Sequence, residues 1–111
     1  MTASWPVEIR GEGYFAFHGI GLQEGQVSLR DGLIEVGHTW SVARRLNRGQ
    51  FRFPARETRI GVESGAFGRQ WLVISGPSGG RPAFVSIRPL SRAALEEIWH
   101  ALVAAGASRA S

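Results

Sequence analysis

Apolar residues recur along this chain with two different periods. Between Gln26 and Arg88 they alternate with polar residues in short runs broken by glycine, whereas Leu95, Ile98, Trp99, Leu102 and Val103 fall at i, i+3, i+4, i+7 and i+8. The second spacing predicts a helix from Leu90 to Gly106 with a single apolar stripe. Burying five such side chains is worth about 10 kcal/mol gross, at about 1.5–3 kcal/mol each, so the stripe must dock on whatever the strands build. Ser91 is placed to cap the helix, Leu90 and Leu95 are spaced as a hydrophobic staple, and Gly106 is placed to end it.

The period-two runs predict strands. Tyr14–Ile20 is too aromatic and glycine-rich for a helix, and Gln26–Arg30 alternates cleanly. Asp31-Gly32 is the strongest hairpin signal, because a tight primed turn needs positive φ, and Leu33–Val36 resumes as the return strand. Trp40, Val42 and Leu46 mark a further run, which Asn47-Arg48-Gly49 turns back into Phe51-Arg52-Phe53. Pro54 belongs at a strand end or an edge, since it cannot donate to a ladder. Thr58–Glu63 puts Ile60 and Val62 on one face, and the continuous apolar stretch Gln70–Ser75 suggests a central strand. Gly76-Pro77-Ser78-Gly79-Gly80 reads as a flexible loop leading to Ala83–Arg88, which Pro89 stops. About seven short strands at spacings of about ten residues predict a mainly β fold, a seven-stranded antiparallel sandwich or barrel capped by one C-terminal α-helix. Residues 1–11 read as an N-terminal extension, 12–106 as the single domain and 107–111 as a disordered tail.

Composition narrows the chemistry. A chain of 111 residues has the size of one domain, and 43% hydrophobic residues with four Trp and six Phe supply enough apolar surface for a core. No apolar run approaches the ~18 residues of a spanning helix. The first residues lack a basic stretch followed by an apolar one, so the expected compartment is the cytoplasm. Cysteine is absent, which removes disulfides and thiolate chemistry, and all 13 positive charges are arginine. The net charge of +4 permits an anionic partner without requiring one.

Seven antiparallel strands followed by one amphipathic helix resemble the pleckstrin-homology-like superfold, including its bacterial and GRAM-type branches. Leu95-Glu96-Glu97-Ile98-Trp99-His100-Ala101-Leu102 is similar to the family's terminal helix, where a Trp packs into the sandwich. Phe53-Pro54-Ala55-Arg56-Glu57-Thr58-Arg59-Ile60-Gly61-Val62 looks like the segment of bacterial members where a proline-containing stretch leads into a strand with paired aliphatics. Lipid-binding members grip inositol phosphates with a basic loop between the first two strands. Here that loop, Gly21-Leu22-Gln23-Glu24-Gly25, carries one acid and no base. The resemblance therefore implies a scaffold that binds peptides or neighbouring domains more than a phosphoinositide reader.

The densest charge cluster is Arg44, Arg45, Arg48, Arg52, Arg56 and Arg59 against Glu57 alone. Several guanidiniums on one surface would meet phosphate or carboxylate bidentately, so these six are the candidate binding residues for an anionic or protein partner. A solvated strand face in an arginine-biased chain is the plainer reading of the same residues. Nucleic-acid binding would need stacking platforms or a groove-entering motif beside the patch, and neither is apparent. Gly76-Pro77-Ser78-Gly79-Gly80 matches the nucleophile-elbow spacing, yet a strand rather than a helix follows it and the only aspartate, Asp31, precedes it. Gly11-Glu12-Gly13-Tyr14-Phe15-Ala16 matches a loose dinucleotide pattern without the helix such a site needs. His18, His38 and His100 have no metal-ligand spacing, and Glu96 and Glu97 read as first-turn helix charges. These readings predict no cofactor, no metal and no catalysis. The expected activity is that of an interaction module working through a strand edge or the arginine-rich face, with anionic lipid headgroups as the alternative ligand and a small ligand-binding barrel or enzyme as the least favoured. An uncovered edge also invites self-pairing, and hence a homodimer.

Overall fold

In the computed structural model, residues 2–10, 22–38, 51–64 and 70–110 are described. They form eight strands and one helix: β1 (Thr2–Arg10), β2 (Leu22–Arg30), β3 (Leu33–His38), β4 (Phe51–Pro54), a 3-10 turn (Ala55–Glu57), β5 (Arg59–Ser64), β6 (Gln70–Ser78), β7 (Arg81–Pro89), α1 (Arg92–Ala104) and β8 (Ser108–Arg109). The strands make one sheet in the order β4-β3-β2-β1-β7-β6-β5-β8, antiparallel throughout except for the parallel pair β5–β8. The expectation of a mainly β chain with one helix near its end thus holds, but with eight strands rather than seven and with the sheet left open. The expected strands at Tyr14–Ile20 and Trp40–Leu46 lie outside the described residues.

Alternation sets the core. Trp5, Val7 and Ile9 of β1 face the same side as Val27 of β2, Ile34 and Val36 of β3, Phe53 of β4, Ile60 of β5, Leu72 and Ile74 of β6, and Val85 and Ile87 of β7, all buried. Cross-strand partners match across the sheet, with Ile34 opposite Phe53, Val27 opposite Val36, Ile9 opposite Ile87 and Ile60 opposite Ile74. Ile98 and Leu102 of α1 join this cluster at 0% exposure. The sheet curls around it. The backbone N–H of Arg52 in β4 donates to Ser78 Oγ at the end of β6 (2.9 Å), and Ala55 N–H donates to the Gly32 carbonyl (2.8 Å).

Turn chemistry behaves as the sequence suggests at one hairpin and differs at another. Asp31 and Gly32 both have positive φ (52° and 76°), as a two-residue primed turn requires. Gly76, Pro77 and Ser78, expected in a flexible loop, instead continue β6, with Pro77 opposite Pro82 and Ser78 opposite Arg81. Only Gly79 and Gly80 turn, at φ 61° and 81°, because two glycines adopt the primed turn without steric cost and let both strands run on.

Within the stretch expected as an N-terminal extension, Thr2–Arg10 lies inside the sheet between β2 and β7. Pro6 is tolerated there because β7 reaches β1 only at Val7, Glu8 and Ile9, so the proline stands outside that ladder. The described residues of the expected tail are also ordered. Ala107 is buried and Ser108–Arg109 pair with Arg59–Ile60.

The helix ends explain that docking. Ser91 Oγ accepts from Ala94 N–H (3.0 Å), a regular N-cap. At the other end Gly106 N–H donates to the Val103 carbonyl and Ala107 N–H to the Leu102 carbonyl, both at 3.0 Å, which is a Schellman motif. Gly106 has φ 120°, a region that effectively only glycine enters, and an added Cβ would lie 3.1 Å from Arg56 Cγ. That turn drops Ala107 onto the core and aims the tail along β5. The apolar stripe divides: Ile98 and Leu102 are buried, Leu95 and Trp99 half-buried, and Val103 is 44% exposed. Trp99, which the resemblance implies should pack into the sandwich, packs at the margin while Ile98 and Leu102 fill the interior. Leu90 is 63% exposed, so the expected staple adds little burial.

Candidate functional site

Of the six arginines singled out above, Arg44, Arg45 and Arg48 lie outside the described residues. Arg52, Arg56 and Arg59 follow one another along β4, the 3-10 turn and β5, the stretch that crosses the open side of the sheet. All three are exposed, because alternation turns Phe51, Phe53 and Ile60 inward and sends Arg52 and Arg59 out. Each has a distinct setting. Arg52 Nε lies 3.9 Å from Glu35 Oε2 with its side chain 76% exposed, a pair too long and too wet to hold it. The stem of Arg56 lies against Gly106 at the C-terminal end of α1, where the helix dipole favours a cation. Arg59 stands beside Ser75 on one neighbouring strand and Ser108 on the other. Neither Arg56 nor Arg59 has an acidic partner among the described residues. The turn between them is rigid: Thr58, 1% exposed, donates its hydroxyl to the Pro54 carbonyl (2.6 Å).

Two clefts flank α1. The first, of about 500 Å³, lies at its N-terminal end between Glu8, Gln70, Arg88, Leu90 and Arg92. Glu8 and Arg88 are opposite each other on β1 and β7, with Arg88 Nη2 2.5 Å from Glu8 Oε2. The approach is close but not aligned as a hydrogen bond. Both side chains are largely covered, at 29% and 25% exposure, and the two opposite charges face each other there. Arg92 is drawn toward Glu96 one turn on (3.8 Å), with both side chains well exposed. Glu96 and Glu97 accordingly sit beyond the first turn, which contains no acid, rather than at the dipole position expected for them.

The second cleft, of about 410 Å³, lies between α1, β5 and β8. Val62, Leu95 and Trp99 form its apolar part, and Arg109 stacks on it with its guanidinium carbon 5.5 Å from the Trp99 ring centroid. No sequence signal marked Arg109, because Ala107-Ser108-Arg109 shows no apolar alternation. Its only hint was the glycine that ends the helix, since a Schellman turn commonly buries the residue that follows.

His100 is exposed on α1. Among the described residues no group of three His, Asp or Glu side chains is placed to hold a metal ion, and no helix is long and apolar enough to cross a membrane. No protein-family model matches this chain, and no curated protein matches it.

Proposed function

We propose that the chain is a non-catalytic interaction module with a pleckstrin-homology-like architecture that binds a protein partner bearing acidic groups. The observation that carries this reading is the row Arg52, Arg56 and Arg59, solvent-facing along the open side of the sheet and held on a fixed strand–turn–strand segment. Three guanidiniums without tight acidic neighbours are ready to meet carboxylates bidentately, with only the long, exposed Arg52–Glu35 pair to give up. The antiparallel order β4-β3-β2-β1-β7-β6-β5 followed by α1 supports the architectural part.

The same arginines also suit an anionic bilayer, at about 1 kcal/mol per base near a charged surface. One experiment separates the two. The full chain and a variant carrying Arg52→Glu, Arg56→Glu and Arg59→Glu are each used to capture proteins from extract of the source organism and sedimented with phosphatidylserine vesicles. The expected result is a protein retained by the wild type, with affinity falling about tenfold in the variant as three surface pairs are lost, and no sedimentation of either. Retention that ignores the reversal, or binding to vesicles alone, overturns the proposal.

A further inference from the structure

Alternation along β7 turns Phe84 to the outer face of the sheet, since Val85 and Ile87 of the same strand are buried and Phe84 is 57% exposed. The ladders set what stands beside it. Phe84 lies opposite Ser75 of β6, Ser75 opposite Arg59 of β5, and Arg59 opposite Ser108 of β8, so these residues form one outward row across four strands. Neighbouring strands are about 5 Å apart, which puts Phe84 and Arg59 about 10 Å from each other with the small Ser75 between them. Ser75 Oγ lies 3.5 Å from the Arg59 carbonyl, a long hydrogen bond that turns the hydroxyl toward β5. Ser86, the next outward residue of β7, is 7% exposed, so on that strand the accessible part of this face lies toward the hairpin.

We infer that Phe84 and Arg59 form one docking surface, on which a segment of a protein partner seats an apolar side chain against the Phe84 ring and a carboxylate against the Arg59 guanidinium. The inference rests on the interaction-module reading and adds its apolar half. Among the described residues the exposed large apolar side chains are Val62, Phe84, Leu90 and Val103, and Phe84 is the one aromatic ring of the four. Aromatic and arginine side chains are enriched where proteins meet, because each joins a large contact area to a directed interaction. Charge separates Phe84 from Leu90, which is exposed to a similar degree. The arginines on either side of Leu90, Arg88 and Arg92, each face an acid, Glu8 and Glu96, whereas none of the described acids pairs with Arg59. Arg59 therefore has its charge to offer beside an exposed ring. A groove that holds single-stranded nucleic acid stacks successive bases on several rings, and this row contains one. The patch is also fixed in place: Leu72–Ser78 pair throughout with Arg81–Ile87, and Arg59 is held between β6 and β8, so docking orders little backbone.

The test selects random peptides displayed on phage against the immobilised full chain, then measures the synthesised peptides by fluorescence anisotropy. An extended peptide advances about 3.3 Å per residue, so the selected sequences should carry an aromatic or aliphatic residue and an acid about three positions apart. Phe84→Ala should weaken them at least about tenfold, Phe84→Leu less, and Arg59→Glu about tenfold. Leu90→Ala should leave their affinity unchanged. Amide proton dispersion checks that each variant is folded, and Phe84→Glu, which sets a like charge before the peptide's acid, reads the same loss through a second substitution. Recovery of no peptide overturns the docking surface, as do peptides indifferent to both Phe84→Ala and Phe84→Glu, or weakened as much by Leu90→Ala. Peptides that ignore the Phe84 variants yet respond to the reversal of Arg52, Arg56 and Arg59 leave the interaction module standing without this surface, and failure of both peptide selection and protein capture removes both. Binding of single-stranded oligothymidylate that is lost in Phe84→Ala puts a nucleic acid in the partner's place and overturns the inference.

Discussion

Ile98→Asp and Leu102→Asp should each unfold the protein, while Val103→Asp should leave it intact. Ile98 and Leu102 are fully buried against the inner face of the sheet, and Val103, a neighbour on the same helical stripe, is 44% exposed. An unpaired carboxylate at either buried position costs several kcal/mol, a large share of a total stability of about 5–15 kcal/mol. At Val103 the change should cost no more than about 1 kcal/mol, chiefly from an anion in the last turn of the helix. Urea titration followed by tryptophan fluorescence, with the dispersion of amide proton signals as a second readout, checks all three. A cooperative transition near the wild-type midpoint in Leu102→Asp would mean that α1 does not close the sheet.

Phe53→Ala should cost about 3–5 kcal/mol, moving the urea midpoint by about 1–3 M at an m-value typical of small domains. β4 is four residues long and stands at the edge of the sheet, with β3 as its one ladder neighbour among the described strands. Phe53 is its anchor: it has 0% exposure, opposes Ile34 and stacks on Phe51 with ring centroids 5.7 Å apart and planes 3° from parallel. Arg52→Ala, one residue earlier and pointing to solvent, should change stability by no more than about 0.5 kcal/mol. Equal costs at the two positions would contradict the inward and outward assignment of β4, and with it the exposure of the arginine row.

The contrast between those neighbours shows what was legible in the sequence. Period two marked β2 and β4 and put Ile60 and Val62 of β5 on one face, and the Asp31-Gly32 signal placed a hairpin correctly, because both depend on local sterics and on a single buried face. β1 was missed although Trp5, Val7 and Ile9 alternate with Ser4, Pro6 and Glu8. A proline disfavours an interior strand position, and only the three-dimensional fact that the β7 ladder ends at Val7 accommodates Pro6 there. The helix was readable in extent and capping, but its stripe gives no depth. Which of five apolar residues reaches the interior depends on how the helix crosses the sheet, a tertiary quantity absent from a one-dimensional pattern. β8 had no signal of its own, being two exposed residues placed by the Schellman turn before them and by the edge of β5.

Much the same applies to the candidate site. Arginine density between residues 44 and 59 was visible as composition, and alternation sufficed to send Arg52 and Arg59 outward. The setting of Arg56 against Gly106 joins positions 50 residues apart (106 − 56) and was not readable. The second cleft is likewise assembled from β5, α1 and β8, whose nearness follows from sheet order and the docking of the helix.

Hydrogen exchange of the four amides from Gly61 to Ser64 in the free protein is the most direct test, since the outward placement of Arg59 and the course of the arginine row depend on the register of β5 against β6. Gly61 and Glu63 should exchange more slowly than Val62 and Ser64, because their N–H groups face β6. Exchange at Gly61 and Glu63 as fast as at Val62 and Ser64 would contradict that register.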